Sequence, residues 1–279
     1  MKQISILGCG WLGLPLAKSL LQKGYLISGS TTSENKIPML HNAGITPFLI
    51  CLSEEKLEGE MDYFLKNSEI LIIDIPPKLR GNALDTSTAL SKTFVKKIQN
   101  LIPFIENSSV KKVLFVSSTS VYADENVTIT EESIPNPDTE SGKQLLEAEE
   151  LLQSNENFQT TVIRFGGLIG ADRLPIQFLS GKIHIENPDA PINLIHQEDC
   201  IGIIEKILQK AQNENFNWNE TFNAVAPFHP TRKEYYTQKA IELNLALPHF
   251  NESKPSIGKL ISSEKVEYIL GYSFKNIKL

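Results

Sequence analysis

A chain of 279 residues, 41% hydrophobic and 22% charged, is long enough to bury a sizeable core. That length suits one large α/β domain or a nucleotide domain with a smaller cap, and the net charge of −6 argues against nonspecific nucleic-acid binding or attachment to an anionic membrane. Three cysteines, Cys9, Cys51 and Cys200, form no metal spacing and are odd in number, so a reduced cytoplasmic setting is expected, without a metal site or a disulfide framework.

The first predicted strand, Lys2 to Leu7, runs straight into the GxGxxG turn Gly8-Cys9-Gly10-Trp11-Leu12-Gly13, and Leu12 to Gln22 continues at helical spacing. Each glycine has a mechanical reason. Gly8 makes the tight turn, Gly10 lets backbone approach a diphosphate, and Gly13 lets helix pack closely on strand. The helix N-terminus then faces the phosphates with free N–H groups and a partial positive charge. Cys9 stands near that N-terminus, which could lower its pKa, although packing beside the cofactor also explains it. The next strand, Tyr25 to Ser30, ends in Ser28-Gly29-Ser30-Thr31-Thr32-Ser33. An acidic residue about 20 positions beyond the glycines would bind the ribose 2′-hydroxyl of NAD. Here the strand end carries hydroxyls without a carboxylate, and Lys36 is near enough to pair with a 2′-phosphate. Despite Glu34 nearby, NADP is expected over NAD, with Ser30, Thr31 and Thr32 as contacts.

Further strands are predicted at Thr46 to Ile50, Glu69 to Ile75, Lys111 to Ser117 and Thr160 to Phe165. Helices are predicted at Ser33 to Asn42, Thr86 to Ile105 and Thr139 to Leu152. Short apolar strands separated by helices describe a doubly wound, mostly parallel sheet, a Rossmann fold with ligands at the carboxyl ends of its strands. After Phe165 the pattern loosens. Prolines interrupt it, helices are predicted at Glu198 to Gln212 and Arg232 to Leu243, and short strands at Ile192 to Ile195 and Glu220 to Ala224. The expected organisation is a dinucleotide-binding domain over 1–165 and a smaller, irregular substrate-side domain over 166–279, interwoven with it. No leader precedes the first strand and no run of 18 apolar residues occurs, which predicts a soluble, unprocessed protein.

The fifth strand ends Val116-Ser117-Ser118-Thr119-Ser120-Val121-Tyr122, and there the chain resembles the extended short-chain dehydrogenase/reductases, the NAD-dependent epimerase/dehydratase family. Further matches are Pro135-Asn136-Pro137 before a helix, Arg164 before a Gly-rich loop, Ile195-His196 followed by Asp199, Phe222-Asn223, and Leu270-Gly271-Tyr272. The resemblance covers nearly the whole chain in the right order. It implies an enzyme acting on a small or nucleotide-linked substrate, and it allows a homodimer through helices equivalent to Thr86–Ile105 and Thr139–Leu152. It places Ser118 as the hydroxyl that hydrogen-bonds substrate, or else as a serine completing the strand-end turn. Asp74 and Pro76 fall where the family contacts the nicotinamide ribose. Arg164 is a candidate anion contact or an ion-pair partner. His196 and Asp199 read as structural ahead of catalytic, in a segment that helps shape the family's substrate pocket; Asp199 can cap the following helix, and Arg232 is a candidate phosphate or carboxylate contact.

The departures carry more information than the matches. The family's helix starts Tyr-Gly-x-x-Lys, and alignment puts Ser141 in the tyrosine position and Leu145 in the lysine position. A serine hydroxyl is too weak an acid and leucine carries no charge. General acid–base catalysis contributes about 10²–10⁴-fold, so the standard hydride chemistry should be severely weakened. Tyr122 is the nearest phenol in sequence that could replace the missing acid, or else it packs or contacts substrate. The glycine motif departs too, since Leu7 stands at the first glycine of the group's GxxGxxG. The pattern is that of an atypical member lacking the dyad. Two other readings stand beside it: a noncatalytic NADP-occupancy sensor that binds a protein partner, and a β-hydroxyacid dehydrogenase, whose opening motif residues 8–17 resemble.

Overall fold

The computed structural model describes residues 2–77, 92–213 and 216–278. In chain order, β1 (Gln3–Leu7) leads through the glycine turn into α1 (Gly13–Gln22) and β2 (Leu26–Thr31). A 3₁₀ turn over Glu34–Lys36, α2 (Ile37–Asn42) and β3 (Thr46–Leu49) follow. The expected helix over Ser33 to Asn42 is thus split. Pro38 stands in the first turn of α2, where its missing N–H costs nothing, so the regular helix begins there. A small hairpin of β4 (Cys51–Leu52) and β5 (Leu57–Glu58), α3 (Met61–Leu65) and β6 (Ser68–Ile73) come next. The helix expected from Thr86 is described as α4 (Thr93–Glu106), and residues 86–91 lie outside the described residues.

Then come β7 (Lys112–Ser118), β8 (Thr128–Ile129), α5 (Glu140–Gln153), β9 (Gln159–Phe165) and β10 (Gly167–Ile169). The chain finishes with β11 (Leu194–His196), α6 (Gln197–Lys210), β12 (Thr221–Ala224), α7 (Arg232–Glu242), β13 (Leu260–Ile261) and α8 (Glu264–Leu270). The main sheet has seven strands in the order β12-β9-β7-β6-β1-β2-β3, with β3, β2, β1, β6 and β7 parallel. Chain order reverses between β1 and β6, so the crevice at their carboxyl ends is the switch point where such sheets hold ligands. Thr221–Ala224, expected on the substrate side, instead forms the edge strand β12 of this sheet. Its Phe222, Asn223 and Ala224 are fully buried. A four-residue strand cannot announce which sheet it joins.

The strands are apolar on both faces, as burial under helices on both sides requires. Ile4, Ile6 and Leu7 in β1, Leu71 to Ile73 in β6 and Val113 to Phe115 in β7 are all buried. α1 adds Leu16, Ala17 and Leu20 from one face. Ser5, a polar residue inside β1, is satisfied by donating to the Phe64 carbonyl at 2.6 Å and by the Ser68 hydroxyl at 2.7 Å.

The chain forms two compact units. One comprises Met1–Val121, Pro137–Arg164 and Ile207–Phe222, and the other Tyr122–Asn136, Phe165–Lys206 and Asn223–Leu279. The second unit is built on two parallel pairs, β10 with β11 and β13 with β8. Ile169, Ile192, Leu194 and Tyr235 form one of its apolar clusters. Asp199, fully buried, does not serve as a helix cap. It accepts the Tyr272 hydroxyl at 2.7 Å and the backbone N–H groups of Lys275 and Asn276, tying down the last segment.

Candidate active site

The glycine turn sits at the carboxyl end of β1, where Gly8 adopts φ +108°. A Cβ on Gly8 would lie 2.3 Å from the Asp74 carbonyl oxygen, and one on Gly13 would lie 2.2 Å from the Gly8 carbonyl oxygen. Both positions therefore require glycine for close approach. Gly10 is different. It is exposed, and nothing stands within 4 Å of its Cβ position. Protein packing does not explain that glycine, whereas a flat anionic group lying on the turn, at the N-terminus of α1, does. The cradle fits a diphosphate.

Neighbouring strands lock the turn in place. The Gly8 N–H donates to the Ser30 hydroxyl at 2.9 Å and the Cys9 N–H to the Ser30 carbonyl at 2.8 Å. Ser30 is buried, and its hydroxyl holds the turn to β2. The Thr31 hydroxyl likewise accepts the Ser33 N–H at 3.1 Å. Thr32 remains exposed, as does Lys36. Cys9 packs under the sheet, with its sulfur 2.6 Å from the point where a Gly29 Cβ would stand. Burial, with the nearby Asp74 carboxyl, pushes its thiol up to about 12, so the turn does not activate it. Leu12 is buried and Trp11 half-buried at the mouth of α1.

Asp74 follows β6 and faces the turn across the switch point. Its N–H donates to the Leu7 carbonyl at 2.9 Å, and its Oδ2 lies 3.0 Å from the Cβ position of Gly13. Burial pushes this carboxyl up to about 8, partly opposed by the hydrogen bond it accepts from the Gly13 N–H. Pro76 is exposed two residues on.

At the end of β7, Ser118 is half-buried, and its hydroxyl accepts the Ser120 N–H at 3.2 Å, closing the turn that follows. The start of α5 packs directly on that turn, since a Cβ on Gly142 would lie 2.1 Å from the Ser120 carbonyl oxygen. Thr139 caps this helix by accepting the Gly142 N–H at 3.1 Å. Ser141, half-buried in the first helical turn, is thereby brought to the same end of the sheet as Ser118, while Leu145 one turn on is buried.

Three candidates take the structural one of their readings. Tyr122 is 1% exposed, with its hydroxyl 3.1 Å from Asn223 Oδ1 and 3.3 Å from the Thr130 carbonyl, so it is a packed residue and not a free acid. Arg164 is buried, and its Nε lies 3.1 and 3.2 Å from the two oxygens of buried Glu149, whose Oε1 also accepts the Ser117 hydroxyl. Its charge is spent on that pair and not on a substrate. His196 accepts the Glu198 N–H through Nδ1 at 3.3 Å at the start of α6, a capping role.

Arg232 opens α7 and lines a cavity of about 200 Å³ within the second unit, together with Tyr236 and Lys259. Sequence reading singled out neither partner. Tyr236 was legible, being one helical turn from Arg232 on the same face. Lys259 was not, because only the tertiary fold brings it there.

The Escherichia coli (strain K12) protein YeeZ is 31% identical over 277 residues, spanning 99% of this chain and 96% of YeeZ. Among solved structures, a UDP-glucose 4-epimerase superposes with TM-score 0.77 at 19% identity, covering 99% of this chain and 94% of its own. A short-chain dehydrogenase/reductase superfamily protein from Agrobacterium tumefaciens, with bound NAD, gives 0.76 at 17% identity over 98% and 92%. No protein-family model matches the chain. The fold is that of the NAD-dependent epimerases and short-chain dehydrogenases.

Proposed function

The chain belongs to the family of the Escherichia coli protein YeeZ, and on that premise we propose that it binds a nicotinamide dinucleotide, NADP ahead of NAD, and acts on a nucleotide-linked substrate. The observation that carries this reading is Gly10, exposed above a locked turn with no protein atom to demand a glycine. The bound-NAD relative and the UDP-sugar epimerase share the fold and lend support. The dinucleotide would lie with its diphosphate on Gly8–Gly13, its adenosine ribose toward Thr32 and Lys36, and its nicotinamide end toward Asp74 and Pro76. When bound, it supplies hydride acceptance or donation at the nicotinamide ring. Ser118 and Ser141 orient a substrate oxygen by hydrogen bonding, in place of the proton-transferring tyrosine and lysine. Such a site is slow at proton transfer and depends on orientation for its rate.

Calorimetric titration with NADPH and NADH, followed by a turnover screen with UDP-sugars, tests the reading. NADPH binding at least tenfold tighter than NADH, with measurable turnover, is expected. Failure of both dinucleotides to bind at millimolar concentration overturns it. The apolar Leu145, in the position the family resemblance gives to lysine, favours a second reading as an NADP-occupancy sensor; dinucleotide binding without turnover of any substrate would select that one.

A further inference from the structure

The chain is acidic overall, with 33 aspartates and glutamates against 27 lysines and arginines, yet one cavity in the first unit reverses that balance. It lies at the amino ends of β1, β6 and β7 and has a volume of about 170 Å³. Lys2, Lys111 and Lys112 line it, and Glu69 is the one carboxylate among its described lining residues. The candidate cofactor cradle stands at the opposite, carboxyl end of β1. The cavity floor is apolar. Ile70 is 6% exposed and Leu208 2%, and the ring of half-buried Tyr25 lines the same space.

Local bonds build the walls. A one-residue bulge in β6 passes over Glu69, since Gln3 pairs with Ser68 and Ile4 with Ile70. Bulges re-aim side chains and gather next to sites. The Ser109 hydroxyl donates to the Ser68 carbonyl at 3.0 Å and the Lys111 N–H to the Glu69 carbonyl at 3.1 Å, joining β6 to the segment that enters β7. The donors are unequally spent. Lys112 Nζ stands 5.4 Å over the Trp218 ring and gives one N–H to the Ala211 carbonyl at 2.9 Å, just past α6. Lys2 Nζ is 3.6 Å from Glu69 Oε2, a long and exposed pair. Lys111 has no ion-pair partner among the described residues. The Tyr25 hydroxyl accepts Gln212 Nε2 at 3.2 Å, which leaves its own hydrogen to donate.

We propose that this cavity binds a small carboxylate whose apolar body is about one ring in size. The body rests on Ile70 and Leu208, and the oxygens take the Lys111 charge and the Tyr25 hydroxyl, with Lys112 as second charge. The site is separate from the dinucleotide cradle and does not depend on that reading. An apolar cavity of about 150 Å³ takes up one benzene ring, so the size admits a single ring or a short branched chain. Phosphate would leave the apolar floor uncovered, and a neutral ring would leave the lysines without an anion. Lysines act as point charges, which suits one carboxylate without the paired fork that arginine supplies.

Calorimetry of the full chain with benzoate, benzyl alcohol and inorganic phosphate tests this. Benzoate is expected to bind tighter than either of the others by about fivefold or more. Lys111→Gln and Tyr25→Phe should each weaken benzoate by about threefold or more. Melting midpoints and NADPH titrations of both variants should match the wild type, and saturating NADPH should not displace benzoate. The proposal falls if benzoate does not bind, if benzyl alcohol or phosphate binds as tightly, or if both variants bind benzoate as the wild type does. Competition between NADPH and benzoate would also overturn it, by moving the benzoate to the cradle. Absence of NADPH binding, with the benzoate response intact, would overturn the dinucleotide reading and leave this cavity standing.

Discussion

Asp74 places a carboxyl group where an anion-binding turn least favours one. Its elevated pKa of about 8 resolves the conflict, because a neutral carboxyl neither repels a diphosphate nor competes for the helix N-terminus. The nearest titrating neighbour, Cys9, stays a thiol throughout this range. In an unfolded chain an aspartate titrates near 3.9, so between about pH 4 and pH 8 the folded protein holds the extra proton. Stability therefore falls as pH rises through that window, and nothing is lost below it. Asp74→Asn removes the slope. Its melting midpoint relative to the wild type should climb from pH 5 to about pH 8 and level off above, and a constant difference from pH 5 to pH 8 would refute the assignment. Arg164 makes the opposite point. Its pairing with Glu149 is buried, and removing one partner strands the other charge. Arg164→Met should cost about 3–5 kcal/mol in chemical denaturation. A cost near zero would show the pair to be solvated.

The turn between β1 and α1 separates fold from function within one motif. Gly13→Ala drives a methyl into the Gly8 carbonyl, so both stability and dinucleotide binding should be lost together. Gly10→Ala meets open space. It should leave the melting midpoint within about a degree or two, in the range of neutral surface changes, while weakening dinucleotide binding tenfold or more. Paired melting curves and NADPH titrations of the two variants check this. If Gly10→Ala binds as tightly as the wild type, the diphosphate does not rest there. This motif was legible because glycine spacing, strand and helix all occur within residues 3–22. Arg164 and Tyr122 stayed open between two readings for the opposite reason. A lone arginine or phenol reads the same whether its partner is a ligand or a buried Glu149 or Asn223, and only the packing decides.

At the scale of the molecule, the main sheet was readable because its buried parallel strands are continuous apolar runs with helices between them. The two-residue strands β4, β5, β8 and β13 were not, since two residues show no periodicity, and β8 and β13 pair across more than a hundred residues of sequence. The same holds for β12, which completes a sheet begun more than two hundred residues earlier. A ligand on such a sheet stabilises the native state by mass action. A dinucleotide at a hundred times its dissociation constant adds about 2.7 kcal/mol, provided that the unfolded chain does not bind it. For a protein of this size each kcal/mol moves the midpoint by about 2–4 °C, so saturating NADPH should raise it by roughly 5–10 °C. NADH at the same concentration should raise it less, because the end of β2 offers exposed Thr32 and Lys36 but no carboxylate for a free ribose hydroxyl. Equal shifts for both would remove the preference for a 2′-phosphate and leave the cradle intact. A flat midpoint with either, up to millimolar concentration, would mean that the open space over Gly10 serves something other than a dinucleotide.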